Sequence, residues 1–369
     1  MEPFKNELSL EQARRMAAAM GRAHAGFRSR RFLHGLGPAL EPLELKQRVH
    51  LLADRLEASI GLPAPGLFAP LVGALARDEN DPNGIRGFLA WPLTELVARH
   101  GLDHFKPAMA ALAEMTRRFT AEFAIRPFLR VHRDKTLRQL QRWAGSTDEH
   151  LRRLASEGSR PLLPWGERLP ELAAEPGLSL PILRQLRTDP SGYVRRSVAN
   201  HLNDHAKVHP DLVVGELAAW RQERPDDPDL QRLIRHACRT LLKAGHPGAL
   251  GLNGFSPPDT LKVTGLKLGA GRVSIGDRLS IGLQVRHAGD VPAMVMLDYA
   301  IHHRKAAGRL SPKVFKGRVR ELAPGETWQV QLQHSFRPVT TRRLYPGRHR
   351  VVVLVNGREA ASSGFDLVT

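Results

Sequence analysis

One carboxylate stands among arginines in the middle of the chain, where it conflicts with simple binding of an anion. Glu157 follows Arg152 and Arg153 and precedes Arg160. Because a carboxylate repels phosphate, a surface that only binds a polyanion would not favour it, and this departure indicates a catalytic role. The alternative is an ion pair between Glu157 and one of the three arginines.

An aromatic residue follows this cluster in an irregular segment. Trp165 stands between Pro164 and Gly166, and neither neighbour suits a helix interior. A tryptophan in such a position is often held for contact, and its ring could take a cation or the face of a sugar. The alternative is that Trp165 fills the core.

Weak internal repeats would place these residues on one surface. Residues 150–157 align with residues 193–200, and a looser third copy covers residues 233–238. Helix pairs that recur at about 40 residues are typical of HEAT-like solenoids, in which each pair buries an apolar face on its neighbours. The alternative is a helical bundle without repeats.

The alignment groups polar residues into columns. Arg152 aligns with Arg195, and Arg153 aligns with Arg196. Such columns suit a phosphate backbone, because the planar fork of arginine matches phosphate oxygens. The alternative is that one arginine of each pair forms a salt bridge to the neighbouring repeat. The looser copy adds Arg235 and His236 to the arginine columns. A second column is polar and contains Glu157, Asn200 and Thr240, and we expect it on the concave face.

The hydrophobic period changes from helical to strand-like after residues 251–258. Upstream, apolar residues recur at helical spacing, as they do over residues 45–60. The alternating segments downstream are 279–285, 295–301, 328–336 and 349–355. Short alternating strands predict a β-sandwich of immunoglobulin-like size. We therefore expect a HEAT-like helical solenoid over residues 1–250, a linker over 251–258 and an immunoglobulin-like β-sandwich over 259–369.

The composition favours an acidic partner. The 369 residues include 55 Lys and Arg against 37 Asp and Glu, a formal net charge of +18. This excess favours nucleic acid first and an anionic membrane second, with a basic soluble protein as the alternative. The single cysteine, Cys238, cannot form an internal disulfide, and no apolar run is long enough to span a bilayer. We expect a cytosolic protein.

Motifs for metals and cofactors are missing from the sequence. There is no Walker A loop and no HExxH motif, and the 17 histidines show no metal-ligand spacing. Cys238 lies in an apolar repeat, where we expect it to be buried and inert. The sequence therefore predicts neither a metal ion nor an organic cofactor.

The β-rich part is the more basic half per residue. Residues 256–369 hold 18 Lys and Arg against 8 Asp and Glu, a net charge of +10. Residues 305–312 predict a loop, and a basic loop at the end of a sandwich suits phosphate contact. The alternative is a solvated surface loop. The basic cluster includes Arg304, Lys305, Lys313 and Lys316.

Three segments resemble the AlkC family of alkylbase DNA glycosylases: residues 123–128, 152–165 and 193–204. The stretch Arg-Arg-Leu-Ala-Ser-Glu-Gly with its downstream Pro-Trp is the most specific of them. The resemblance implies a monomer that excises cationic N3-methylated bases, 3-methyladenine and 3-methylcytosine, from duplex DNA. It also implies that the base is not flipped into a deep pocket, unlike the usual glycosylase pattern. A C-terminal immunoglobulin-like domain occurs in some members.

The resemblance also implies residue roles. A cationic base is already a good leaving group, so a carboxylate has to stabilise an oxocarbenium-like sugar and position water. Glu157 would be the principal carboxylate and Glu122 the second, while Asp204 would position water or hold an arginine. Trp165 would pack on the sugar or the base. The expected DNA contacts are Arg126, Arg152, Arg153, Arg160, Arg195, Arg196, Arg304, Lys305, Lys313 and Lys316.

Two other functions remain open on the sequence. One is a catalytically silent DNA-binding protein, in which Glu157 only orients arginines. The other is a HEAT-like scaffold for an acidic protein, with the sandwich as a second binding module. Excision of a damaged base would separate the first of these from the glycosylase.

Overall fold

The computed structural model describes residues 3–339 and 343–369. One compact unit ends at Val208 and a second begins at His209. The helices of the first unit are α1 Leu10–Ala23, α2 Ser29–Leu33, α3 Leu36–Leu40, α4 Leu45–Ile60, α5 Phe68–Gly73, α6 Trp91–His100, α7 Phe105–Thr116, α8 Arg126–Val131, α9 Arg133–Ala144, α10 Glu149–Gly158, α11 Pro170–Ala174, α12 Leu180–Leu186 and α13 Gly192–His205. Short 3₁₀ helices occur at Phe4–Leu8, Gly87–Ala90, Leu102–His104 and Pro176–Leu178.

In its described residues, the second unit combines four helices with two β-sheets. Its helices are α14 Pro210–Glu223, α15 Pro228–Ala237, α16 Arg239–Lys243 and α17 Pro247–Leu252, and a 3₁₀ turn follows at Pro258–Thr260. Its strands are β1 Leu261–Leu268, β2 Arg272–Ser274, β3 Arg278–His287, β4 Ala293–Arg304, β5 Leu310–Leu322, β6 Thr327–Ser335, β7 Gly347–Val355 and β8 Arg358–Val368. The predicted change from a helical to a β-rich region is confirmed.

Helix α4 shows how the apolar period folds. Val49, Leu52 and Leu56 are buried along one face. Glu44 and Gln47 form a reciprocal capping box at the start, and Gly61 ends the helix in the left-handed conformation with φ of 70°. The capping box and Gly61 therefore begin and end the helix at the limits of the apolar period. The helix predicted over residues 45–60 is confirmed.

Two neighbouring helix pairs carry the sequence repeat. Helix α9 packs on α10 and α12, and α13 packs on α10 and α12, so equivalent helices are adjacent. Asp148 caps α10 by accepting from the backbone of His150 at 2.8 Å. Ser191 is the corresponding N-cap of α13. The designation of these pairs as HEAT-like stays a prediction.

The looser third copy has a different register from the one that the alignment assumed. Asp227 caps α15, so the residue four positions after the cap is Gln231, whereas Arg152 and Arg195 hold that position in the first two copies. Arg235 therefore falls one helical turn beyond the arginine column. Thr240 lies in α16 and does not share the helix position of Glu157. The caps fix this register, and the apolar pattern alone does not.

The strands form a three-stranded sheet in the order β1-β3-β6 and a five-stranded sheet in the order β2-β8-β7-β4-β5. The four alternating segments found in the sequence correspond to β3, β4, β6 and β7, as predicted. The core between the sheets contains Ile281, Val295, Val330 and Val353. The loop expected over residues 305–312 is shorter in the structure, because β5 already begins at Leu310.

The helices of the second unit are joined to its β-sheets by backbone contact. Gly245 after α16 and Gly357 in the β7–β8 turn are so close that a Cβ on Gly357 would lie 2.2 Å from the Cα of Gly245. The Asn356 side chain donates to the carbonyl of Ser256 at 2.7 Å and accepts from the backbone of Met296 at 2.7 Å. Residues after Val208 thus group with the strands, and the domain limits predicted at 251–258 stay a prediction.

Three of the described histidines pack together with Phe336 in the β-sheet region. His303, His334 and His349 are all buried. Their rings contact one another and Phe336, with His303 and His349 ring centres 5.8 Å apart. Because a charged imidazole is costly to bury, protonation of His349 would weaken this packing.

Acid should destabilise the β-sheet region through His349. Burial lowers the pKa of His349 and Arg304 adds to this, against the hydrogen bond to the Tyr345 carbonyl and the charge of Asp366. The unfolded chain then binds more protons, so this stabilisation is complete above about pH 6.5 and is lost as the pH falls below it. Hydrogen exchange, corrected for intrinsic rates, should show lost protection in β7 and β8 on acidification. His349→Gln should reduce that loss, and an equal loss in both proteins would contradict the assignment.

Candidate active site

The three carboxylates singled out from the sequence come together in the first unit. Glu122 lies between α7 and α8, Glu157 in the last turn of α10, and Asp204 near the end of α13. Arg153 links Glu122 to Glu157, and Arg160 links Glu157 to Asp204. We call this alternating series of five side chains the charge chain.

One stretch of backbone supplies the middle of the charge chain. Arg153 and Glu157 are four residues apart on α10, so they share one side of the helix, and Arg160 follows just after the helix ends. The apolar residues Leu151, Leu154 and Ala155 are buried in the same helix. The amphipathic sequence of α10 therefore packs the helix and places Arg153 beside Glu157.

Glu157 is 5% exposed and both of its oxygens have partners. Oε1 accepts from Arg160 at 2.7 Å and lies 3.5 Å from Nη2 of Arg153. Oε2 accepts from the Ser197 hydroxyl at 2.6 Å. The ion pair left open as an alternative in the sequence is therefore present, and it involves two arginines.

Ser197 is a site residue that sequence reasoning missed. Its hydroxyl lies 2.6 Å from Glu157 and 3.0 Å from the hydroxyl of Ser156. A hydroxyl has one proton to donate, and the carboxylate is the stronger acceptor. Ser197 therefore donates its hydrogen bond to Glu157. In the repeat alignment Ser197 stands opposite the buried Leu154. A polar residue in an otherwise apolar column was the available signal.

The two flanking carboxylates are also buried and paired. Glu122 accepts from the Thr120 hydroxyl at 2.7 Å and from Arg153 in a short ion pair. Asp204 is 1% exposed and accepts from Arg160 at 3.0 Å and Lys207 at 3.1 Å. Because each carboxylate has a cation beside it, the site compensates for burying three acidic groups.

The arginine columns divide into structural and exposed members. Arg152 makes a two-point ion pair with Asp189, which precedes the next repeat, at 2.6 Å and 3.0 Å. Arg195 donates to the carbonyls of Asp189 and Pro190. Arg196 is exposed, and within the described part of the chain its guanidinium has no polar partner. The alternative of a salt bridge between repeats thus applies to Arg152.

Arg126 lies beneath the surface, which differs from the DNA contact expected for it. Its side chain is 1% exposed and donates to the carbonyls of Glu167 at 2.6 Å and Gly158 at 3.1 Å. Burial lowers the pKa of Arg126 to about 10, against the nearby charges of Glu167 and Glu122. The residue ties the end of α10 to the following segment, and a phosphate cannot reach its guanidinium in this conformation.

Trp165 projects from a turn and does not fill the core. Its side chain is 56% exposed, and its φ of 63° is unfavourable for a residue with a Cβ. The Leu169 amide closes the turn on the carbonyl of Pro161 at 3.1 Å. Lys46 donates to the Trp165 carbonyl, and the Trp165 ring stands edge-on to Phe4 at 6.2 Å. The alternative of a core residue is therefore wrong, and the contact role of Trp165 stays a prediction.

The basic residues predicted in the second unit are exposed. Arg304 ends β4, Lys305 begins the turn, and Lys313 and Lys316 lie on β5. β5 is an edge strand of the five-stranded sheet. Three of the four cations therefore lie on regular strands, and Lys305 lies in the turn between them.

The described residues contain no metal-binding group of three or more His, Cys, Asp or Glu side chains. The helices within them are also too short or too polar for any to cross a membrane. The site contains buried carboxylates and guanidinium groups, and the Tyr193 ring lies beside Arg153. Such a set can stabilise a cation and orient a water molecule.

The fold and this site define a helical protein with a C-terminal immunoglobulin-like domain. A family model described as "Uncharacterised protein YhaZ, C-terminal Ig-like domain" matches residues 262–369. The protein YhaZ of Bacillus subtilis strain 168 is 36% identical over 346 residues, which cover 94% of each chain. The solved structure of Pseudomonas fluorescens alkylpurine DNA glycosylase AlkC, bound to DNA containing an abasic site analog, matches with a TM-score of 0.92 and 36% identity over 100% of both chains. This chain belongs to the family that includes AlkC and YhaZ.

Replacing Arg152 should destabilise the first unit more than replacing Arg196. Arg152→Met leaves the buried Asp189 without its charge partner, at an expected cost of about 3 kcal/mol. Arg196→Met removes an exposed, unpaired group and should change the free energy of unfolding by less than about 0.5 kcal/mol. Urea unfolding of both variants measures the difference. Equal midpoints would show that the Arg152–Asp189 pair is not structural.

Proposed function

We propose that this protein is a DNA glycosylase that hydrolyses the N-glycosidic bond of cationic N3-alkylated bases in duplex DNA. The observation that carries the proposal is the charge chain of Glu122, Arg153, Glu157, Arg160 and Asp204. It occurs in a protein whose full length matches an alkylpurine DNA glycosylase at 36% identity. 3-Methyladenine and 3-methylcytosine are the proposed substrates. We also propose a monomer that acts in the cytosol, and a HEAT-like arrangement of the helix pairs.

The charges of the site suit this reaction. A cationic base needs no acid to leave, so the positive charge that develops on the sugar is the main demand of the transition state. Glu157 is buried and fixed by Ser197, and a fixed carboxylate in a site with little water stabilises an oxocarbenium-like sugar strongly. Glu122 and Asp204 are the further carboxylates that can orient the attacking water.

Exposed groups of the first unit suit binding to DNA. Arg196 has a free guanidinium and the Trp165 ring projects into solvent. The formal net charge of +18 provides a favourable field for a polyanion. A catalytically silent DNA-binding protein would share these features, so excision of the base is the measurement that distinguishes the two functions.

Removal of the negative charge of Glu157 should abolish most of the excision rate. The assay is a single-turnover reaction on duplex DNA that carries 3-methylcytosine or 3-methyladenine, followed by alkaline cleavage. Glu157→Gln should lower the rate by about 10²-fold, as expected for the loss of one electrostatic contact in the transition state.

Glu171→Gln is the matched control, since Glu171 is exposed on α11 and pairs with Arg133 at the surface. It should leave the rate within a factor of about two. Product from the wild type with an unchanged rate in Glu157→Gln would move the main role to Glu122 or Asp204. Salt-sensitive DNA binding without any product from the wild type would refute the glycosylase and support the silent binding protein.

The basic residues of the β-sheet region should contribute to DNA binding. Deleting this region would expose the helices packed on it, so a variant in which Arg304, Lys305, Lys313 and Lys316 are all changed to Gln is the cleaner test. Each lost phosphate contact should reduce the slope of log affinity against log salt by about 0.9. Fluorescence anisotropy across a salt series measures the slope, and a slope equal to that of the wild type would exclude these residues.

A further inference from the structure

We propose that Arg153 occupies a binding site for a planar organic cation when DNA is absent, and that the cationic base replaces it. The site consists of Thr120, Glu122, Glu157 and Tyr193, and we call it the cation box. The identification of the replacing cation as an alkylated base rests on the proposed function. The existence of the cation box does not, because it follows from the surroundings of Arg153.

The cation box surrounds a flat, delocalised positive charge on its edges and on one face. Nη1 of Arg153 donates to the Thr120 hydroxyl at 2.6 Å and to Glu122, and Nη2 lies 3.5 Å from Glu157. The central carbon of the guanidinium lies 5.3 Å from the centre of the Tyr193 ring. Carboxylates at the edge and an aromatic ring on the face are the groups that recognise a planar cation.

Arg153 is held less completely than the other arginine of the charge chain. Arg160 uses Nε on Asp204 and Nη1 on Glu157. Nε of Arg153 is buried and has no hydrogen-bond partner among the described residues. An unpaired donor in a buried position is unfavourable, so part of the energy of the Arg153 contacts is cancelled.

The remaining residues keep partners when the Arg153 head group leaves. Glu157 retains Arg160 and Ser197, and Glu122 retains Thr120. Tyr193 is 45% exposed and the Arg153 side chain is 14% exposed, so the box lies at the surface. A ligand can therefore enter by displacing one side chain, with no rearrangement of the helices.

The carboxylates of the cation box favour a positively charged ligand over a neutral one. An N-alkylated purine or pyrimidine is planar and spreads its positive charge over the ring, as a guanidinium does. It can replace Arg153 charge for charge and leave the balance of the two carboxylates unchanged. A neutral base would displace the same cation and leave Glu122 without a cationic partner and Glu157 with Arg160 alone, in a buried site. Arg153 would thus act as an internal competitor that excludes neutral bases and becomes available to phosphate once displaced.

The test is binding of a small planar cation to the full-length protein without DNA. The probe is 1,3-dimethylbenzimidazolium, which has the size of a purine and a permanent charge. Its uncharged counterpart is 1-methylbenzimidazole at about pH 8. Isothermal titration should show that Arg153→Ala binds the cation at least about 10-fold more tightly than the wild type, because the internal competitor is gone. The uncharged probe should bind Arg153→Ala at least about 10-fold more weakly than the cation, because it cannot compensate the carboxylates.

Arg196→Ala is the matched control, since it removes one arginine of α13 without opening the box. The double variant Arg153→Ala/Tyr193→Leu should lose most of the gained affinity, because the ring face is missing. If Arg153→Ala does not fold, Arg153→Gln serves in its place, since its amide still donates to the carboxylates. Equal affinity of the cation for the Arg153 and Arg196 variants, or equal affinity of the two probes for Arg153→Ala, would overturn the proposal.

The outcome is separate from that of the excision assay. Cation binding in Arg153→Ala with no excision by the wild type would keep the cation box and refute the glycosylase. Excision by the wild type without any gain in cation affinity would keep the glycosylase and refute the role given to Arg153.

Discussion

The candidate site depends on the pairing of three buried carboxylates with two guanidinium groups from a single stretch of chain. Arg153 and Arg160 flank Glu157 and reach outwards to Glu122 and Asp204. Without these cations, three carboxylates from three different parts of the chain would repel one another in a buried region. The segment before α8 and the ends of α10 and α13 are thereby held in one place by charge as well as by packing.

The two arginines are held through different nitrogen atoms, and this difference suits one to a structural role and the other to displacement by a ligand. Arg160 is 6% exposed and satisfies Nε on one carboxylate and Nη1 on another, which suits a permanent part of the scaffold. Arg153 has an unpaired Nε and lies against the partly exposed Tyr193. A site built in this way has a rigid half and a replaceable half, so a substrate can compete for one cation while the other keeps the carboxylates in place.

The sequence predicts the architecture of the chain well because its signals are local. Hydrophobic periods of 3.6 and 2 identify α4, β3, β4, β6 and β7 directly, since each element buries its own face. Motif resemblance identifies the three carboxylates, and the structure brings them together. Strands β1, β2, β5 and β8 escaped notice because their burial is mixed, and β5, as an edge strand, displays cations that resemble a loop in sequence.

Other features of the site depend on contacts that no local pattern contains. Arg126 was expected to contact DNA, yet its partners are the carbonyls of Gly158 and Glu167, more than thirty residues away. The division between Arg152 and Arg196 depends on Asp189, which belongs to the next repeat. The third repeat was aligned one turn out of register because helix caps, and not apolar residues, set the phase.

The left-handed backbone of Trp165 bears on how this protein would change under selection. Glycine adopts that conformation without strain, so a selection for thermal stability alone would favour replacing the tryptophan. A selection that also requires contact with a ligand would oppose the same change. Under the proposed function, the requirements of stability and of ligand contact therefore conflict at this residue. Laboratory-evolved variants would keep or lose the tryptophan according to which requirement was selected.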